Sequence, residues 1–141
     1  MNGFTLHADF EPTSVAVGEL ALCSVRLQAD ARFPWLILVP RRPGVSDLDH
    51  LEAADRARLM DEQVLAMGAV RALGEALLRP VTKLNVAALG NMTPQLHVHV
   101  IGRRSDDAAW PAPVWGVGSP QPYSDTALML ALSAVRDALR L

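Results

Sequence analysis

Apolar and polar positions follow two rhythms along this chain. At residues 19–27, "ELALCSVRL" alternates imperfectly, and at residues 35–40, "WLILVP" is a nearly continuous apolar run. Both predict strands, the second deep in a sheet, and the short "QADARFP" between them favours an antiparallel pair. From Ser46 the rhythm turns helical. Ser46 is the expected cap, Asp47 and Asp49 suit the positive end of a helix dipole, and "LEAADRARLMDEQVLAMGAVRALGEALL" is rich in helix formers. Met60, Val64, Met67 and Val70, continued by Leu73 and Leu77, predict its core-facing stripe. Arg79-Pro80 stops the helix, and "VTKLNVAAL" and "LHVHVIGR" predict a hairpin turning at Gly90-Asn91. After the proline-rich "WPAPVWGVGSPQPY", a second helix opens near Ser124 and runs to about residue 140. Its stripe is Leu128, Leu132, Val135 and Leu139, with Met129 and Leu130 off that face, and it is expected to pack on its own sheet. Strands and helices segregated in this way imply an α+β fold with an antiparallel sheet.

Composition narrows the function. A chain of 141 residues, half of them apolar and 20% charged, is expected to form one domain over residues 1–141. Thirteen basic against fifteen acidic residues leave a net charge of -2, so no global positive field holds nucleic acid or an anionic membrane, and any anion is bound locally. The lone Cys23, within "LALCSV", reads as a buried, inert thiol. No apolar run reaches the roughly eighteen residues of a membrane span, and "MNGFTLHADF" lacks a basic region followed by an apolar one. The expectation is a soluble cytoplasmic protein.

The chemistry is concentrated in "GNMTPQLHVHVIGRR", residues 90–104. On a strand, Gln95, His97, His99 and Ile101 share one side, while Leu96, Val98 and Val100 share the other and face the core. Three readings of the imidazole row compete. Two histidines can simply decorate a half-buried strand. His-x-His can supply two metal ligands, but a further ligand has to come from His7, His50 or scattered carboxylates, none at a recognisable spacing. Or one neutral imidazole attacks a phosphoryl or acyl centre while the other donates to its oxygen and Gln95 adds an amide donor. The third reading takes no metal and no cofactor. The arginine pairs 41–42 and 103–104 are left outside the site, as surface pairs that water or acids satisfy. Trp110 and Trp115 are read as packing residues, base stacking being the less common use of such rings.

"QLHVHVIGRR" resembles the signature of the histidine triad family, in which three histidines alternate with apolar residues on a strand; Gln95 stands in the first histidine position. "FPWLILVPRR", "SDLDHLEAADRARLMDE" and "NVAALGNMTPQLHVH" resemble, in the family's order, its Pro-ended strand, the helix start that follows and the segment before the triad. The likeness spans about residues 20–110. It implies a histidine triad fold: an antiparallel sheet of about five strands with one long central helix and a C-terminal helix at about 124–140. It further implies a nucleotide-conjugate hydrolase or nucleotidyl transferase acting at the α-phosphate, with phosphoramidates or dinucleoside polyphosphates as substrates. By motif position His97 is the nucleophile, His99 stabilises the phosphoryl oxygens, Gln95 completes the catalytic row, and Asn85 and Asn91 bind phosphate or leaving group. A homodimer is implied as well. The chain departs from the pattern at Trp35, where many members carry another histidine, at Met92, where a serine or threonine often contacts phosphate, and at Leu27, near the usual ribose-binding acid. Each departure is expected to remove a polar contact, which makes a nucleotide-binding module of little activity the alternative and a metal-dependent hydrolase the third reading.

Overall fold

The computed structural model describes residues 3–141. Five strands, β1 (Ser14–Glu19), β2 (Cys23–Gln28), β3 (Trp35–Pro40), β4 (Lys83–Ala87) and β5 (Val98–Arg103), form one antiparallel sheet in the order β1-β2-β3-β5-β4. Helix α1 (Ala53–Ala76) lies over β3 and β5, and α2 (Asp125–Leu139) packs on α1 and reaches β1. The α+β architecture matches expectation; several boundaries do not.

The run at residues 19–27 is not one strand. It holds the end of β1, a turn and β2, and the turn is closed by Leu20 N–H donating to the Cys23 carbonyl at 2.8 Å. No glycine or proline marks it. Its N–H groups at Leu22 and Cys23 donate instead to the two carboxylate oxygens of Glu62, each at 2.8 Å, so a charged residue 2% exposed occupies the core face of α1. This shifts the helix's buried stripe to Leu59, Glu62, Ala66, Ala69, Val70 and Leu73. Met60 and Val64, expected inside, are 56% and 57% exposed. The helix also starts later than expected. Residues 48–50 form a separate 3-10 turn, Glu52 is the residue at the α1 N-terminus, and Ser46 caps nothing there.

Helix α2 behaves as the pattern predicts: Ser124 accepts a hydrogen bond from Ala127 N–H at 3.1 Å, and Val135 and Leu139 are buried while Met129 and Leu130 face out. Close contact between α1 and β5 depends on Gly102, where a Cβ would stand 3.0 Å from Val70 Cγ1 and 2.6 Å from Val81 Cγ2. The expected hairpin exists as the β4–β5 pair, but residues 88–97 connect it rather than a tight turn. Gly90, at φ +70°, supplies the left-handed residue in that connection.

Candidate active site

The parity of β5 sets the site. His99 pairs with Ile37 of β3 and Ala87 of β4, and directly paired residues project to one side of a sheet. That side is opposite the helices. It carries a second apolar cluster of Phe10, Phe33, Trp35, Ile37, Val39, Ile101, Ala109 and Val114, so the histidines are not on a solvent face. His97, just before β5, and His99 are 8% and 7% exposed. Their ring centroids stand 5.0 Å apart at 73°, with the Phe10 ring centroid 5.0 Å from that of His97 and the Trp115 ring centroid 5.0 Å from that of His99.

Each imidazole has one nitrogen committed. His97 Nδ1 donates to the Gln95 carbonyl at 2.6 Å; because a carbonyl only accepts, Nδ1 carries a proton, and in the neutral ring the lone pair is on Nε2. His99 Nδ1 accepts from the indole N–H of Trp35 at 2.9 Å. Burial, and then the neighbouring His97 imidazole, hold the His99 pKa down at about 4.

Gln95 corrects the sequence reading. Its carboxamide is not a donor waiting in the imidazole row: Nε2 donates to the Thr5 carbonyl at 2.9 Å and Oε1 accepts from His7 N–H at 2.8 Å. The physical reason is that Gln95 precedes β5, where strand alternation does not hold, and the N-terminal segment brings unpaired backbone groups to it. What Gln95 offers His97 is its carbonyl. Trp35 departs from expectation in the other direction, because it adds a polar contact at the place where one was expected to be lost.

Asn85 is paired with Ile101, one strand repeat beyond His99, and its Oδ1 accepts from Arg103 Nη1 at 2.8 Å. Arg103, expected on the surface, is 2% exposed; it bridges Asp107 at 2.8 Å, donates to the Ala112 carbonyl, and lies over the rings of Phe33 and Trp110. Burial works against the Asp107 carboxylate, but the Arg103 hydrogen bond and three backbone N–H donors outweigh it and hold the pKa at about 2. Asn91 and Met92 are exposed in the 88–97 connection, next to Gly90. A cleft of 480 Å³ lies where this connection faces the 46–49 segment, lined by Ser46, Asp47, Asp49, Gly90, Leu96 and His97 among others. A larger concavity of 820 Å³, bounded by Phe4, Gly18, Ser24 and Arg41, contains neither histidine.

Among the described residues, one group of three metal-type donors gathers within 4.8 Å: exposed Asp47, Asp49 and His50. It does not include His97 or His99, and His50 Nδ1 already accepts from the Ser46 and Asp47 N–H groups at 3.3 Å each. Cys23 is fully buried, and that burial raises its thiol pKa, which removes it as a nucleophile. Sequence reasoning missed Phe10, Trp35 as a hydrogen-bond donor, and Trp115 as the wall of His99. Trp35 had a usable signal, since antiparallel pairing of the two apolar strands puts it opposite Ile101 on the His99 side.

The HIT domain family model matches residues 9–106. The chain is similar in structure to a histidine triad protein from Bradyrhizobium japonicum, at 43% identity and TM-score 0.86 over 96% of this chain and 98% of that one. It is similar also to a histidine triad protein from Sinorhizobium meliloti, at 39% identity and TM-score 0.88 over 99% of both chains. A third, from Marinobacter aquaeolei, has 37% identity and TM-score 0.86, covering 97% of this chain and 96% of that one. Among curated proteins, none matches.

Proposed function

Because the chain belongs to the histidine triad family, whose members are usually nucleotide hydrolases or transferases, we propose that it cleaves nucleotide conjugates at the α-phosphate through a nucleotidyl-His97 intermediate. The observation that carries this reading is the bond from His97 Nδ1 to the Gln95 carbonyl, which leaves the Nε2 lone pair of the neutral ring as the nucleophile on a residue that lines the cleft. In the first step Nε2 forms a bond to phosphorus, the bond to the amine or phosphate leaving group breaks, and the departing group takes a proton from water. The nucleotidyl-imidazole carries positive charge, which the Gln95 carbonyl stabilises at Nδ1. Water then attacks phosphorus, releasing a nucleoside monophosphate and restoring His97. His99 donates to a phosphoryl oxygen in both steps, and Asn91, beside Gly90, is assigned to the leaving group by its motif position.

Turnover of adenosine phosphoramidate and diadenosine polyphosphate by the parent and by His97→Ala tests the assignment. The expected loss is on the order of 10⁴-fold or more in kcat with the circular dichroism unchanged. Equal turnover by both proteins overturns it.

A second reading, a nucleotide-binding module with little chemistry, is favoured by the commitment of Gln95 to Thr5 and His7, of Asn85 to Arg103, and by Met92 at 93% exposure. Calorimetry with nucleoside monophosphates beside the turnover assay separates them: tight binding without turnover selects the module. A homodimer fits the apolar Met60, Val64 and Leu65 left exposed on α1 and Val86 on the edge strand β4. Sedimentation as a clean monomer at micromolar concentration contradicts it. No helix among the described residues is long and apolar enough to cross a membrane.

A further inference from the structure

We propose that Trp35 is a positioning residue that locks His99 as a neutral hydrogen-bond donor, with Nδ1 held as acceptor and Nε2–H reserved for the substrate. The assignment deepens the hydrolase reading, and it rests on geometry that is independent of turnover. An indole N–H can donate and cannot accept. At 2.9 Å from His99 Nδ1, Trp35 Nε1 therefore admits one neutral tautomer, since a proton on Nδ1 would set two donors against each other. The same contact opposes the imidazolium, which needs protons on both nitrogens. A histidine or serine in Trp35's place either donates or accepts and imposes no such choice.

The surroundings reinforce the lock. Trp35 is 5% exposed, and its ring meets His99 at 5.7 Å between centroids, while Trp115 meets both Trp35 at 5.7 Å and His99 at 5.0 Å. The two indole rings thus pack against the His99 ring, and the hydrogen bond itself is buried. His97 is the titratable group facing His99; Ile37 on β3, Ala87 on β4 and the two indoles carry no charge. Burial next to another imidazole lowers the His99 pKa to about 4, in the direction the indole also enforces. The consequence for chemistry is that the developing charge on phosphorus oxygens meets a preset neutral dipole from His99, not a cation.

Ring nitrogen correlation spectra of ¹⁵N-labelled protein from about pH 8 to about pH 5 read both histidines directly. The parent should show the Nε2–H pattern for His99 throughout, and the neutral His97 ring the Nδ1–H pattern. Trp35→Phe keeps an aromatic ring and deletes the donor. In it His99 should become a tautomer mixture that titrates nearer the ordinary histidine range, with kcat on a phosphoramidate falling roughly 10- to 100-fold and KM little changed. Trp35→His, which can donate again, should recover part of both. An Nδ1–H tautomer or an imidazolium at His99 in the parent overturns the proposal even if every variant misfolds, and so does a Trp35→Phe spectrum indistinguishable from the parent's. A parent that shows the Nε2–H pattern yet turns over no substrate overturns the hydrolase reading and supports the Trp35 assignment.

Discussion

The two sides of the sheet are built on different principles. On the helix side, Leu22, Leu27, Leu36, Leu38, Val70, Leu73 and Val100 are at most 1% exposed, and their cohesion comes from apolar area removed from water, an interaction without direction. On the loop-covered side the buried set mixes aromatic rings with Arg26, His97, His99 and Arg103, and each of these polar groups has a named partner. Burial of such groups is tolerable only when their hydrogen bonds are made. The difference teaches where chemistry can reside: directional bonds, confined on the first side to Glu62 and the Leu22 and Cys23 N–H groups, are the organising feature of the second.

The largest stability effect should come from breaking a directional contact. Arg103→Ala strips the counter-charge from an Asp107 side chain 4% exposed and empties the hydrogen bonds to Asn85 and Ala112, for an expected loss of about 3–5 kcal/mol in urea unfolding. Leu73→Ala, on the other side, should cost about 2–5 kcal/mol through lost contact and a cavity, while kcat on a phosphoramidate stays at the parent value. A fall in kcat as steep as the fall in stability would show that the two sides are not independent.

Acid comes next. Because the folded His99 pKa lies near 4 and the unfolded value is 6.5, the unfolded chain binds the proton first. Stability is therefore constant in this group above about pH 6.5 and declines as pH falls toward 4, by roughly 3 kcal/mol in total. Asp107 then takes over: its pKa is depressed from 3.8 to about 2, so its contribution is present above 3.8 and is lost as pH falls through 2. Chemical denaturation in steps across these windows checks both, and His99→Gln should flatten the first. The smallest effect is expected at Met92, 93% exposed and part of neither side: Met92→Ser should change stability by less than about 0.5 kcal/mol.

Legibility in the sequence follows the same division. Short-range patterns reveal what depends on short-range geometry: the strand parity that sets the side of His99, the apolar run of β3, and the Ser124 start of α2. The turn at residues 20–22 was hidden because its N–H groups are satisfied by Glu62, forty residues away, rather than by local turn chemistry. The same pairing misdirects the α1 stripe, since an inward carboxylate and alanines carry little hydrophobic signal while outward Met60 and Val64 carry much. At the site, the roles of Gln95, Trp35 and Arg103 are set by partners 90, 64 and 18 residues distant, which periodicity does not encode.

Gln95 has a consequence for how the molecule comes together and stays together. Its side chain grips Thr5 and His7 while its carbonyl grips the His97 ring, so one residue joins residues 5–7 to the proposed nucleophile. The two grips tie the orientation of the imidazole to the docking of residues 5–7 against the segment that precedes β5. Momentary release of that segment is then also a release of the His97 ring, and amide exchange at His7 should rise and fall in step with the solvent accessibility of His97.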